Sequence, residues 1–351
     1  MPSIAKPRIP LAPLAHNDLG LTIRDYEGAM STLCAGCGHD SVTAAISLAF
    51  FELSIRPRDI AKLSGIGCSS KTPTYFINGA HGFNSAHGRM AAIATGAIAA
   101  QRGLHYIGVS GDGDSLSIGL GHLSHAIRRN VDMTYIIENN GVYGLTKGQV
   151  SPSADVGSRP KKGDPNVVPP IDPMELGLAL GATFLARGFS GDKDQLVPLI
   201  KAAVAHRGFA LLDVISPCVS FNDHEGSTKS YRFFREHEVH EIETDFVPQR
   251  AEIRSKISSD SARAVTMHDG SVMYFRALPE GYNPTDRVSV EAYLAERKAM
   301  GEVPTGLLFL REGAPDLHDM SGTVSRPLAD LDLADLCPGN DALQRLQESF
   351  R

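Results

Sequence analysis

The chain has 351 residues, 42% of them hydrophobic and 21% charged, with a formal charge of −6, enough for one large α/β domain of roughly 200 to 250 residues plus appended segments. With no long Lys/Arg run it offers no electrostatic footprint for DNA, RNA or an anionic membrane surface. The N-terminal MPSIAKPRIPLAPLAHNDLG lacks a continuous apolar signal core, and no uncharged apolar stretch of about eighteen residues spans a bilayer, so a soluble cytoplasmic protein is expected.

An extended, proline-containing arm runs to about residue 30. Beyond it, apolar or amphipathic periodicity predicts helices over 41–53, 89–101, 116–129 and 194–206. Between them LHYIGVS, MTYIIEN, ATFLARG and ALLDVIS are short, rich in β-branched and aromatic residues, and bounded by turn residues, which predicts strands. Strands alternating with helices mean a doubly wound, mostly parallel α/β sheet whose ligands bind beyond the carboxyl ends of the strands. Residues 151–173 form a Pro/Gly/Lys-rich loop of a length usually reserved for function or a partner contact. Three segments result: an arm over 1–30, a core over 31–225 and a C-terminal extension over 226–351. The extension holds a helix candidate over 290–300 and an Asp269-Gly270 pair suited to a hairpin turn. It carries no motif that translates into chemistry, and its composition suits a cover or subunit interface.

Gly111-Asp112-Gly113-Asp114-Ser115 follows the strand LHYIGVS and precedes a helix. Its glycines permit a tight turn, and its backbone N–H groups make an anion site at the helix start. A hard cation such as Mg²⁺ takes about six oxygens, a few from protein and the rest from phosphate and water. Asp112 and Asn140 end consecutive predicted strands and can supply two, with a backbone carbonyl from the loop Gly141-Val142-Tyr143. GDGDSL places Leu116 where a dinucleotide fingerprint needs its third glycine, and no P-loop is present.

The five cysteines are an odd number in a large chain without a secretion signal, which favours reduced thiols or metal ligands over a disulfide framework. Cys34 and Cys37 form a CxxC, Cys68 sits in SGIGCSS after a predicted strand, and Cys218 ends ALLDVISPC. Such a set binds Zn²⁺ or an iron–sulfur cluster, and spacing alone does not separate the two. Cys337 has no ligand-like neighbour.

In this order, CAGCGH, SGIGCSSK, HGRMAAIATG, GDGDSLSIG and NNGVYGLTKGQVSP resemble the β subunit of 2-oxoacid:ferredoxin oxidoreductases over residues 25–225. GLLFLREGAPDLHD resembles the longer subunits of the 2-oxoglutarate-using branch. Ala35 departs from the proline common in CPGCGH, which alters loop stiffness and leaves the thiols in place. The resemblance implies that Asp112, Asn140 and the Val142 carbonyl hold Mg²⁺ against thiamine diphosphate. It implies a [4Fe–4S] cluster on Cys34, Cys37, Cys68 and Cys218. Gly111, Gly113 and Asp114 then fall where backbone meets diphosphate, and Gly36, His39, Ser69 and His87 in pocket-lining segments. Thr146, Lys147 and Gln149 are expected to contact diphosphate or coenzyme A.

Lys71 and Leu145 correspond to substrate-pocket positions, and a lysine there can pair with the distal carboxylate of 2-oxoglutarate, which pyruvate lacks. The implied reaction is oxidative decarboxylation of a 2-oxoacid with coenzyme A, electrons passing to a separate ferredoxin. An α subunit would supply the carboxylate for the aminopyrimidine, giving an (αβ)₂ assembly. Pyruvate or a branched 2-oxoacid is the alternative substrate. A non-redox thiamine enzyme and a zinc-stapled scaffold are the alternative classes.

Overall fold

Short apolar runs between turn residues become strands because β-branched and aromatic side chains fit a pleated, buried surface. The computed structural model describes residues 14–159, 164–239, 243–247, 263–266, 272–276, 282–337 and 339–351. One sheet contains β1 (Ile60–Ser64), β2 (His81–Asn84), β3 (His105–Gly111), β4 (Met133–Asn139), β5 (Phe184–Phe189), β6 (Phe209–Ile215) and β7 (Gly306–Leu310). Their order is β7-β5-β6-β4-β3-β1-β2. All neighbours are parallel except β7, which lies antiparallel to β5 at the edge.

β4 and β6 are buried along their whole length, so the sheet is covered on both faces. α1 (Gly38–Glu52) packs with α5 (Lys193–Ala205). A second row runs through α2 (Met90–Ala100), α3 (Leu120–Arg128) and α4 (Pro173–Leu180) to α7 (Arg287–Ala299). Between α5 and α7, α6 (Tyr231–His237) brings Phe234 against Phe189 and Ile215. α4 shows how local sequence sets an end: Asp172 accepts from Met174 and Glu175 N–H, Pro173 fits the first turn, and Gly181 closes the helix at φ 86°.

β1 leads away to β2, whereas β3 returns to the other side of β1. The carboxyl ends of β1 and β3 therefore flank the point where strand order reverses, the place where open α/β sheets bind ligands.

The four expected helices and four expected strands form within a few residues of their predicted bounds, with one change. The helix expected over 116–129 is divided: a wide turn, Asp114–Ile118, precedes α3, and Gly119 joins them. Gly119 N–H donates to Asp114 O at 2.8 Å, and a Cβ there would sit 2.6 Å from the same oxygen. β7 carries the C-terminal region into the main sheet, and a helix over 287–299 meets the expectation over 290–300. Val272–Arg276 pairs antiparallel with Glu243–Val247 and Arg263–Thr266; the Asp269-Gly270 turn lies outside the described residues. No helix among the described residues is long and apolar enough to cross a membrane.

Candidate functional site

β3 and β4 are adjacent and in register, Gly111 opposite Glu138, so Asp112 and Asn140 emerge side by side beyond their ends. A cavity of about 80 Å³ is lined there by Gly111, Asp112, Gly113, Asp114, Asn140 and Val142. The β1 loop adds Cys68 and Ser69, the following segments add His87, Leu145 and Thr146, and Tyr143 completes the wall. Tyr143 O–H donates to Gly113 O at 3.1 Å. A Cβ on Gly113 would lie 2.3 Å from that ring, so only glycine fits without displacing it.

Asp112 is 1% exposed. Burial pushes its carboxyl up, and the hydroxyls of Ser151 and Ser153 act in the opposite direction. Both donate to Oδ2, Ser153 at 2.5 Å. Ser153 Oγ also lies 2.8 Å from Asn139 Oδ1, an alternative acceptor for its proton, while Asn139 Nδ2 donates to Asp213 Oδ1 at 2.9 Å and Arg187 Nε donates to Asp213 Oδ2 at 2.9 Å. Arg187 reaches on to Asp172 at 2.7 Å. The two asparagines thus divide their work, because successive strand residues face opposite ways. Asn139 joins this buried relay, while Asn140 Oδ1 accepts from Val142 N–H at 3.0 Å.

Asp114 ties the surrounding loops together. Its Oδ1 accepts from Gly88 N–H at 2.7 Å and Ile66 N–H at 3.3 Å, its Oδ2 accepts from Ser110 at 2.5 Å, and His87 Nδ1 abuts Oδ1.

The thiols gather on the neighbouring flank. Cys37 precedes α1, and its N–H donates to Cys34 O at 3.0 Å, closing the CxxC turn. Ser220 Oγ lies 3.4 Å from Cys34 Sγ. A Cβ on Gly144 would sit 3.6 Å from Cys68 Sγ and 3.7 Å from Cys218 Sγ, so both face that glycine. Burial pushes the Cys37 thiol up to about 12 and raises Cys68 and Cys218, with the neighbouring thiols adding to each shift. Lys71, half-buried on the turn after Cys68, opposes the shift at Cys68. Among the described residues no group of three or more His, Cys, Asp or Glu side chains is arranged to hold a metal ion.

His39 is fully buried at the start of α1, with Nδ1 2.7 Å from Ser216 Oγ and Nε2 3.4 Å from Asn140 Nδ2. Burial pushes its imidazole down to about 4. It does not line the cavity, and neither do Gly36, Lys71, Lys147 or Gln149. Gly36 lies in the cysteine turn at φ 80°, its carbonyl accepting from Tyr231 O–H at 3.2 Å. Leu145 is half-exposed at the rim. Thr146 donates to Gln149 Oε1 at 2.5 Å, across the turn that holds Lys147 at φ 79°.

Sequence reasoning missed Ser151, Ser153 and Glu138. The first two lie in the loop singled out for its length, and Glu138 is the one charged residue of MTYIIEN.

The chain resembles known proteins over this region. Residues 65–214 match the thiamine pyrophosphate enzyme, C-terminal TPP binding domain. The chain is 44% identical over 191 residues to the 2-oxoacid:ferredoxin oxidoreductase subunit beta of Saccharolobus solfataricus, covering 54% of this chain and 63% of that one. It is 36% identical over 212 residues to the 2-oxoglutarate synthase subunit KorB of Methanocaldococcus jannaschii, covering 59% of this chain and 78% of that one. It also superposes, with a TM-score of 0.72 and 30% identity over 93% of this chain and 95% of the other, on a chain of 2-oxoglutarate:ferredoxin oxidoreductase from Magnetococcus marinus, solved with 2-oxoglutarate, coenzyme A and succinyl-CoA bound. With the family domain spanning β3 and β4, and a relative 36% identical that is covered over 78% of its own length, the chain belongs to the β subunits of the 2-oxoacid:ferredoxin oxidoreductase family.

Proposed function

We propose that this chain is the catalytic β subunit of an enzyme that oxidatively decarboxylates 2-oxoglutarate. The balanced reaction takes 2-oxoglutarate, coenzyme A and two oxidised ferredoxins to succinyl-CoA, carbon dioxide, a proton and two reduced ferredoxins. The observation that carries this reading is the placement of Asp112 and Asn140 side by side beyond the ends of β3 and β4, next to the strand-order switch, on the same side as the flank that gathers Cys34, Cys37, Cys68 and Cys218.

The residues suit the groups this chemistry needs. Asp112, Asn140 and the Val142 carbonyl would hold Mg²⁺, and the tight glycine cradle over 111–113 would take the diphosphate beside Ser69 and Asp114. Cys34, Cys37, Cys68 and Cys218 would hold a [4Fe–4S] cluster, whose thiolate ligands sit farther apart than those of a single ion. When bound, thiamine diphosphate supplies the electron sink for decarboxylation and the cluster accepts electrons singly.

The protein's own part is to bind and orient. His39, neutral and buried, braces Asn140 from below. His87 stands at the rim of the cradle, within reach of a substrate held there. Lys71 would pair with the distal carboxylate, beside Leu145, and Thr146, Lys147 and Gln149 present the loop to diphosphate or coenzyme A. A cavity of about 80 Å³ is far below the volume that encloses a cofactor. An α subunit would complete it and supply the aminopyrimidine carboxylate, in an (αβ)₂ assembly in the cytoplasm, with residues 226–351 as cover or interface.

The test is Asp112→Ala in the assembled complex. The reading expects thiamine diphosphate binding and 2-oxoglutarate-dependent ferredoxin reduction to be lost together; retention of both would overturn it.

A further inference from the structure

We propose that Ser153 is a positioning residue for the cation site, the hydroxyl that aims the Asp112 carboxylate. The inference rests on reading Asp112 as a cation ligand and adds a residue outside the ligand set.

Ser153 is 2% exposed and stands at the meeting point of two strand ends. Its single hydroxyl lies 2.5 Å from Asp112 Oδ2, beyond β3, and 2.8 Å from Asn139 Oδ1, the last residue of β4. One hydroxyl has one proton, so it donates to one of the two at a time. The carboxylate is the stronger acceptor when ionised.

Behind Asn139 the relay is fixed: Asp213 accepts from the Asn139 amide at 2.9 Å, and Arg187, 5% exposed, holds Asp213. This determines the Asn139 amide orientation, with Nδ2 toward Asp213 and Oδ1 toward Ser153. Ser153 thus faces two acceptors, the fixed Asn139 Oδ1 and the Asp112 carboxylate, and its one proton goes to the carboxylate when that is ionised. Among the described residues both side-chain hydrogen bonds to Asp112 land on Oδ2, so neither occupies Oδ1, the oxygen that would bind the cation. Outer partners of this kind set metal affinity as strongly as some ligands, and their loss costs about 10- to 100-fold.

The experiment titrates the full chain with Mn²⁺ in the presence of thiamine diphosphate, read by electron paramagnetic resonance, for wild type, Ser153→Ala, Ser153→Thr, Ser153→Val and Asp112→Ala. The proposal expects Ser153→Ala to weaken Mn²⁺ binding about tenfold or more. Thr and Val have nearly the same shape and differ by the hydroxyl, so Ser153→Thr should bind about tenfold more tightly than Ser153→Val. That comparison stands even if Ser153→Ala fails to fold. Equal binding by the Thr and Val variants while Asp112→Ala loses the ion would overturn the positioning role alone. Mn²⁺ binding by Asp112→Ala as tight as wild type would overturn the cation reading and this inference with it.

Discussion

Glu138 Oε2 lies 3.3 Å from His39 Nδ1, yet the two do not form an ion pair. Burial pushes His39 down to about 4 and Glu138 well up, so each is driven toward its uncharged form. Neither Glu138 oxygen has a hydrogen-bond partner among the described residues.

That pair predicts a pH-dependent stability. The folded Glu138 carboxyl keeps its proton above the ordinary value of 4.5, whereas the unfolded one releases it there. Its favourable contribution is complete below that value and is lost as pH rises. Glu138→Gln, which cannot ionise, should therefore gain on wild type between pH 4 and pH 8, by about 2–4 °C in Tm. Thermal unfolding of the two proteins across that range checks it, and a Tm difference independent of pH would refute the assignment.

Arg187 holds the buried Asp213 and the partly exposed Asp172, 2.9 and 2.7 Å away. Burial alone would raise the Asp172 carboxyl, and the guanidinium together with the Met174 and Glu175 N–H groups more than reverses it. Arg187→Met should cost about 3–5 kcal/mol, because it strands the buried Asp213 carboxylate and leaves the partly exposed Asp172 without its cation. Urea unfolding measures this; a loss below about 1 kcal/mol would place the pair in water, as for exposed ion pairs.

Gly113 and Tyr143 are coupled by space. Gly113→Ala should weaken thiamine diphosphate binding about tenfold, the cost of overpacking by one methyl group. Adding Tyr143→Ala should recover part of that loss, giving a non-additive double-mutant cycle in calorimetry. Additive losses would mean that the ring does not limit the cradle.

Much of this was legible in the chain. The βαβ rhythm gave the parallel sheet, and Gly111-Asp112-Gly113 with Asn140 gave neighbouring strand ends, since both signals are local. The edge position of β7 was not legible, because Gly306–Leu310 pairs with Phe184–Phe189 across more than a hundred residues and nothing local records an antiparallel partner. Ser153 escaped for the same reason: a serine in a Pro/Gly-rich loop looks like any turn residue until folding brings it to Asp112. Glu138 was visible as a charge in an apolar run, but its proximity to His39 depends on the packing of α1 against the sheet.

Lys71 is proposed to read the distal carboxylate of the substrate. Lys71→Met in the assembled complex should lower kcat/KM for 2-oxoglutarate about 30-fold or more, as loss of one partner of a desolvated charge pair does, and spare pyruvate. Equal losses on both substrates would remove its role in reading the distal carboxylate.

The most direct test of the account is the iron, acid-labile sulfide and zinc content of the chain purified without oxygen. Four thiols holding a [4Fe–4S] cluster predict about four iron and four sulfide per chain, falling together in Cys68→Ser. One zinc per chain without sulfide would contradict the redox reading.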